Sequence, residues 1–380
     1  MPVDPTDVLF VSKPLCPPWD DSGKLLPYLV AKYMDGVQLA AMTPRGRPLE
    51  LPGVRSEEIY RASSSFTVPM TEKARLLLRL LGRTTPPLVH FFFSPNRPTT
   101  RAARLFRRLN PGVKVVQTVM SLPAQVEALR GLVFADVVVT WSRMAAGIAA
   151  QAVRSRGLRA RVVHIPPGIE PLEPMTPESR RQARKELGLP ADRPLVLYAG
   201  DLEFSSGAEV TAAAAAEVVE RVPATFLFAC RRKTSASKAA ERCLREDVTG
   251  LEARGYARIL ERVPSFKDLL RCVDVQVLPA ETTYAKTDIP LVLLEGLSAG
   301  IPAVVARQTP MEELESAGAA VGVPPMDPEP LARALVGMLD GKGRVKALGD
   351  AGRRYVLEHH TARSMARAHA DLYNEVLRFD

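Results

Sequence analysis

Short runs of Val, Ile, Leu and Phe alternate along this chain with longer stretches whose apolar positions recur every three or four residues. The short runs are nearly continuous in apolar residues, the mark of strands covered on both faces, as in parallel sheets built from βαβ units. Residues 7–12, 37–42, 88–93, 113–119, 136–140 and 162–165 form a first series of such runs. Residues 195–200, 225–230, 257–261, 274–279, 302–306 and 319–323 form a second. Helical stretches separate them, among them the alanine run within 209–221. Between the two series lies IPPGIEPLEPMTPESRRQARKELGLPADRP, whose density of proline and charge reads as a linker, then a helix and a turn. A boundary near residue 172 follows, giving domains of 1–172 and 173–380. Residues 327–377 hold helical periodicity and no strand candidate, so two or three helices are expected to close the second domain. The expected class is α/β, two doubly wound parallel sheets. Such sheets bind ligands at the carboxyl ends of their strands, so residues just after the apolar runs are the ones to inspect.

Composition agrees with this reading and narrows the setting. The 380 residues are 46% hydrophobic and 24% charged, ordinary for a globular chain of about two domains. No apolar run reaches the roughly 18–20 residues of a membrane span, and the opening MPVDPTDVLF carries acids where a secretory signal would carry bases. The four cysteines, Cys16, Cys230, Cys243 and Cys272, form no Cys-x-x-Cys pair, so neither a disulfide framework nor a structural zinc is expected. A cytoplasmic protein fits. The net charge of +9 is unevenly spread: residues 1–175 hold 23 Lys and Arg against 13 Asp and Glu, the remainder 28 against 29. A basic half suits a phosphate-rich acceptor or anionic lipid, and equally a solvated arginine surface. Nucleic acid is not expected, because there is no zinc finger, RRM motif or aromatic-interleaved basic stripe. Residues 72–83 (EKARLLLRLLGR) and 101–109 (RAARLFRRL) mix leucine or phenylalanine with arginine at helical spacing. Peripheral membrane helices do this, and so do core-facing helices with an arginine rim. Weak contact with an anionic membrane through the first domain, at its inner face, is the expectation.

Several strand ends carry candidate chemistry. After the first run, Ser22 is a plausible helix cap, and Gly23 lets a ligand approach amides at a helix N-terminus, where the dipole favours anions. A simple capped turn fits as well, and no Gly-x-Gly-x-x-Gly occurs anywhere. His90, in HFFFSPN, reads either as a sugar or acceptor contact or general base, or as a satisfied core histidine. Arg231, Arg232 and Lys233 directly follow the run ending at Cys230, and Lys286 stands immediately before Thr287. There is no Asp-x-Asp pair and no His/carboxylate cluster with ligand spacing, so no metal and no cofactor are expected.

The segment 274–306 is the most specific. A run ending Leu278-Pro279 leads through a polar loop into Leu294-Glu295-Gly296-Leu297-Ser298-Ala299-Gly300-Ile301-Pro302 and a further run. This resembles retaining glycosyltransferases of the GT-B fold, the large family 4 class, where Leu-Glu-Ala-Met-Ala-x-Gly-x-Pro carries the second glutamate of a Glu-x7-Glu pair. His90 after an apolar run, the turn Ile165-Pro166-Pro167-Gly168-Ile169-Glu170, Tyr198-Ala199-Gly200 and a terminal helix around Tyr373 resemble the same class in the same order, across nearly the whole chain. The resemblance implies two Rossmann-like domains facing a central cleft, with acceptor contacts mainly in the first and the nucleotide in the second. It also implies transfer of a sugar from a nucleoside-diphosphate sugar to an acceptor hydroxyl, with retention of configuration. The acceptor would be a glycan, a lipid-linked molecule or a small molecule.

The departures from the class are specific. Thr287, beside Asp288, stands where the first glutamate of the pair is expected. Gly200-Asp201 and Ser206-Gly207 replace the Gly-Arg and Lys-Gly that hold the donor diphosphate, and Thr118-Val119-Met120 replaces Thr-x-His. A leaving diphosphate gains negative charge, so cations and helix amides must meet it. Lys286 with Arg231 or Lys233, and the amides of Asp288 to Leu291, Pro290 excepted because it has no N–H, are the expected replacements. Asp201 would orient one cation or bond a sugar hydroxyl. Glu295 would accept from the ribose hydroxyls, as the matching residue does in the family. His90, Lys286 and Asp288 are the candidates for catalysis. An epimerase or hydrolase on the same fold, or a catalytically silent nucleotide-sugar-binding module, are the competing readings.

Overall fold

A computed structural model describes residues 6–61, 69–81 and 86–378. Packing divides the chain into two compact units, one formed by Met1–Ile169, Tyr284–Asp288 and His360–Asp380, the other by Glu170–Thr283 and Ile289–His359.

The first unit is built on the strands β1 (Val8–Val11), β2 (Leu39–Pro44), β3 (Val54–Tyr60), β4 (Leu88–Phe93), β5 (Lys114–Val119), β6 (Val137–Thr140) and β7 (Arg161–His164). All pair in parallel, in the order β3-β2-β1-β4-β5-β6-β7. The connecting helices are α1 (Ser22–Lys32), α2 (Met70–Leu81), α3 (Arg97–Leu109), α4 (Leu129–Leu132) and α5 (Arg143–Ser155). Local sequence sets where they begin: the Asn96 side chain accepts from the Thr99 amide to cap α3, and Ser142 accepts from Ala145 to cap α5.

The second unit holds β8 (Leu195–Tyr198), β9 (Thr225–Phe228), β10 (Ala257–Ile259), β11 (Val275–Leu278), β12 (Ala303–Ala306) and β13 (Ala320–Val323), parallel in the order β10-β9-β8-β11-β12-β13. Its helices are α6 (Pro177–Glu186), α7 (Gly207–Val219), α8 (Ser237–Ala253), α9 (Phe266–Cys272), α10 (Leu291–Ser298), α11 (Glu312–Ser316), α12 (Pro328–Leu339) and α13 (Lys342–His359). The order of strands reverses at β1/β4 and again at β8/β11, the switch points where doubly wound sheets leave room for a ligand.

The twelve expected runs are all strands. The first sheet has one more, β3, whose sequence VRSEEIY is mostly polar. It lies at the sheet edge and pairs only with β2, so one side stays open to charged side chains.

The packing departs from the expected division at residue 172 in two places, Tyr284–Asp288 and the end of the chain, both of which pack with the first unit. The final helix α14 (Ala362–Arg378) belongs to the first unit, while α12 and α13 close the second. The chain re-enters the first unit by pairing with the Pro-Pro-Gly-Ile turn: Ile169 N–H donates to the His360 carbonyl at 2.9 Å and Ala362 N–H to Ile169 at 2.7 Å. Gly168 is required there, because a Cβ would lie 2.4 Å from the Thr361 carbonyl oxygen.

His90 corrects an expectation. It is third in β4, the central strand of its sheet, flanked in register by Phe10 and Val116, and is fully buried. Its ring nitrogens share hydrogen bonds with the Tyr373 hydroxyl (Nδ1, 2.6 Å) and the Thr118 hydroxyl (Nε2, 2.7 Å), and its ring lies 3.8 Å from that of Phe92. It is a satisfied core histidine that anchors α14. Burial holds its pKa well below the ordinary value, with a smaller push from His369. His369, on α14, is pushed down to about 4 by the same burial. Its Nε2 meets no hydrogen-bond partner among the described residues.

Both imidazoles are therefore neutral in the fold, whereas an unfolded histidine titrates near 6.5. Stability is complete above that value and falls as the pH drops toward 4, because the unfolded chain takes up protons that the core refuses. His369 alone should remove on the order of 2 kcal/mol by pH 5. Thermal melts should show a steeper loss between pH 7 and 5 for the wild type than for His369→Leu. Parallel losses would show that these histidines do not govern acid sensitivity.

Candidate functional site

In the second unit the loops after β8, β9 and β11 open from the carboxyl edge around the switch point. Tyr198 ends β8 with its ring fully buried beneath the first of these loops. Cβ atoms on Gly200 and Gly207 would lie 2.6 and 3.0 Å from its hydroxyl oxygen, so packing against this ring explains both glycines. The Tyr198 hydroxyl donates to the Asp201 carbonyl at 3.2 Å.

Asp201 and Arg231 form an isolated parallel bridge in the register of the β8–β9 pairing, three residues beyond the Tyr198–Phe228 pair. The consequence is a buried ion pair: Lys233 Nζ lies 2.7 Å from Asp201 Oδ2, with the two side chains only 6% and 3% exposed. The Lys233 ammonium also lies 5.6 Å from the centre of the Phe204 ring. Asp201 thus pairs with the cation of the neighbouring strand end. Arg231 is exposed beside it, while Arg232 turns away to Glu241.

The loop after β11 supplies a carboxylate that sequence reasoning missed. Glu281 accepts from the Ser206 amide at 3.1 Å and from its hydroxyl at 2.9 Å, just ahead of α7. A negative group thus already sits at the amino end of α7, where the dipole favours it. No local signal in the sequence joins residues 75 positions apart.

Farther along, α10 begins at Leu291, with Pro290 as its cap residue and no side-chain cap. Pro290 is buried and Leu291 half-buried. The small residues of the Leu294–Pro302 motif are set by packing: a Cβ on Gly296 would lie 2.4 Å from the buried Gln276 side chain, which donates to the Leu293 and Ile301 carbonyls. Glu295 stands on the second turn of α10 and is largely buried. Burial pushes its pKa up to about 7, opposed by the nearby Lys267.

Tyr284–Asp288 belongs to the first unit, and this corrects the expected run of donor amides. Asp288 is fully buried and accepts from the Ser142 hydroxyl at 2.9 Å, at the amino end of α5. It braces the cap of α5 and lies before α10, which begins at Leu291. Thr287 is buried at 3% exposure and Lys286 half-buried. Gly23 lies in a capped turn. Its amide donates to Asp21 at 2.6 Å, and Asp21 pairs with Lys13 at 2.8 Å, so the protein's own carboxylate fills the amino end of α1. Among the described residues no three His, Cys, Asp or Glu side chains gather in a way that would hold a metal ion.

Two doubly wound parallel units, with chemistry at the carboxyl ends of their strands, define the GT-B architecture. Residues 193–341, which apart from Tyr284–Asp288 lie in the second unit, match the family described as glycosyl transferases group 1. The chain is 30% identical over 225 residues to D-inositol 3-phosphate glycosyltransferase 2 of Catenulispora acidiphila, covering 56% of this chain and 50% of that protein. It spans about half the length of the curated relatives it matches. Among solved structures, sucrose-phosphate synthase from Thermosynechococcus elongatus superposes with a TM-score of 0.77 at 18% identity, covering 99% of this chain and 100% of that one. HepE of Anabaena, solved with UDP and glucose, gives 0.75 at 15% identity over 97% and 99% of the two chains. At such identities these structures establish the fold, and it is GT-B.

The raised pKa of Glu295 makes a stability prediction. An unfolded glutamate titrates near 4.3, so between that value and about 7 the fold binds a proton that the unfolded chain releases, and stability falls as the pH rises. Glu295→Gln should therefore stabilise the protein more at pH 8 than at pH 5, by about 2 kcal/mol. A gain of the same size at both pH values would contradict the burial of this carboxyl.

Proposed function

We propose that this chain transfers a sugar from a nucleoside-diphosphate sugar to an acceptor hydroxyl with retention of configuration, using fixed cations and amides, with no metal. The observation that carries the proposal is the carboxyl edge of the second unit's sheet, where the Asp201–Lys233 pair, exposed Arg231 and the uncapped amino end of α10 replace the missing diphosphate cations. The match of residues 193–341 to the glycosyl transferases group 1 family supports it, as does the presence of UDP and glucose in one structure of the same fold.

In this reading the ribose hydroxyls donate to Glu295, and the diphosphate lies toward the α10 amides and Arg231. As the bond between the anomeric carbon and the diphosphate oxygen breaks, negative charge grows on that oxygen, and preorganised donors lower the barrier. Lys233, fixed by Asp201, adds positive potential without moving. The acceptor's contacts are assigned to the first unit.

One observation favours the silent binding module as a second reading. Glu281 occupies the amino end of α7, so the diphosphate meets a carboxylate where relatives of this class are expected to present a cation.

Transfer assays with a panel of nucleoside-diphosphate sugars separate the readings. Activity should survive excess EDTA, and Arg231→Ala should lower kcat/KM by roughly 10- to 100-fold, the range for a charged hydrogen bond worth about 1.5–3 kcal/mol. Sugar release that does not require an acceptor would favour the hydrolase. Binding without turnover would favour the silent module, and turnover restored only by a divalent ion would overturn the metal-free chemistry.

A further inference from the structure

Helices α2 and α3 of the first unit pack side by side and bury Leu76, Leu80, Ala103 and Phe106 in the core. Their opposite faces are unusual. The exposed positions of α2 are Thr71, Ala74, Leu78 and Leu81, spaced as a single stripe that carries no charge. Leu78 is 71% exposed. On α3 the outward positions are Arg97, Pro98, Arg101, Leu105, Arg108 and Leu109. Leu109 is 59% exposed and Leu105 43%. Scattered exposed leucines are ordinary on any surface, but here four lie on two adjoining helices, interleaved with guanidinium groups.

The charge on this face is one-sided. Glu72 is neutralised by Arg75 at 2.7 Å, and Glu57 by Arg79 at 2.9 Å. Arg104 and Arg107 turn toward backbone carbonyls and Asp136. Arg97, Arg101 and Arg108 make no ion pair with any described residue, and α3 contains no acid. Residues 82 and 83 of the expected basic segment lie outside the described residues.

We propose that this face docks on an anionic lipid surface, with Leu78, Leu81, Leu105 and Leu109 entering the interface and Arg97, Arg101 and Arg108 meeting lipid phosphates. Charge complementarity selects the occupant. A second copy of the chain placed symmetrically on this face would set arginine against arginine. An anionic bilayer satisfies both the apolar and the cationic components, and long arginine stems let the charge stay at headgroup level while the leucines enter. The docking does not depend on the transferase reading, and its test reads binding alone.

The full chain should float with vesicles of phosphatidylcholine and phosphatidylglycerol but not with phosphatidylcholine alone, and about 0.5 M NaCl should release it. Arg101→Gln and Arg108→Gln should each weaken the partition about fivefold. Leu78→Ser with Leu105→Ser should abolish flotation while leaving the melting temperature unchanged, since all four side chains are exposed. Equal flotation with both vesicle types, none with either, or variants that float like wild type would overturn the proposal. So would a dimer in light scattering that the leucine variant dissociates, which would assign the face to a second copy.

Discussion

A lysine ammonium with 6% of its side chain exposed stays charged only beside a partner, and the Asp201–Lys233 pair is the constraint on which the second unit's site depends. Removing either member strands the other, at a cost of about 3–5 kcal/mol, so the loops after β8 and β9 are tied together at the point where the sheet changes direction. Tyr198 beneath them and the glycines that accommodate its ring give that tie a rigid floor. A cation held in this way is already oriented, which is the condition under which electrostatics can favour a developing negative charge.

The same edge shows why missing family cations do not by themselves describe a site. In place of a cation before α7 there is a serine bound to Glu281, and in place of an arginine after β8 there is an aspartate bound to a lysine from the neighbouring strand end. The positive charge has moved one strand over, toward Arg231 and Lys233, and away from the amino end of α7. A donor held here would place its diphosphate toward the β9 loop and α10, with Glu295 on the second turn of that helix.

The strands could be read from the sequence because buried parallel strands are continuous apolar runs, and the edge strand β3 escaped because its open side tolerates VRSEEIY. Helical periodicity identified α14 but carried no information about which core it would join. That choice is made by Tyr373 and His369 packing around His90. For His90 the sequence leaves a ligand contact and a core position equally open, and its register between Phe10 and Val116, in the middle of the sheet, favours the core. Asp288 and Glu281 depend on partners 146 and 75 residues distant, contacts that spacing cannot show. The Leu294–Pro302 motif was readable because its small residues answer to local packing, as Gly296 against Gln276 shows.

In the proposed function the second unit's edge binds a diphosphate through Arg231, Lys233 and the α10 amides while Glu281 opposes it. Calorimetric titration of ADP, CDP, GDP and UDP, each against its parent nucleoside, measures the diphosphate's share directly in wild type and in Glu281→Gln. One diphosphate should bind at least about tenfold tighter than its nucleoside, and Glu281→Gln, by removing a negative charge while keeping an acceptor for Ser206, should widen that ratio several-fold. Equal binding of diphosphate and nucleoside, or a ratio that Glu281→Gln leaves unchanged, would contradict it.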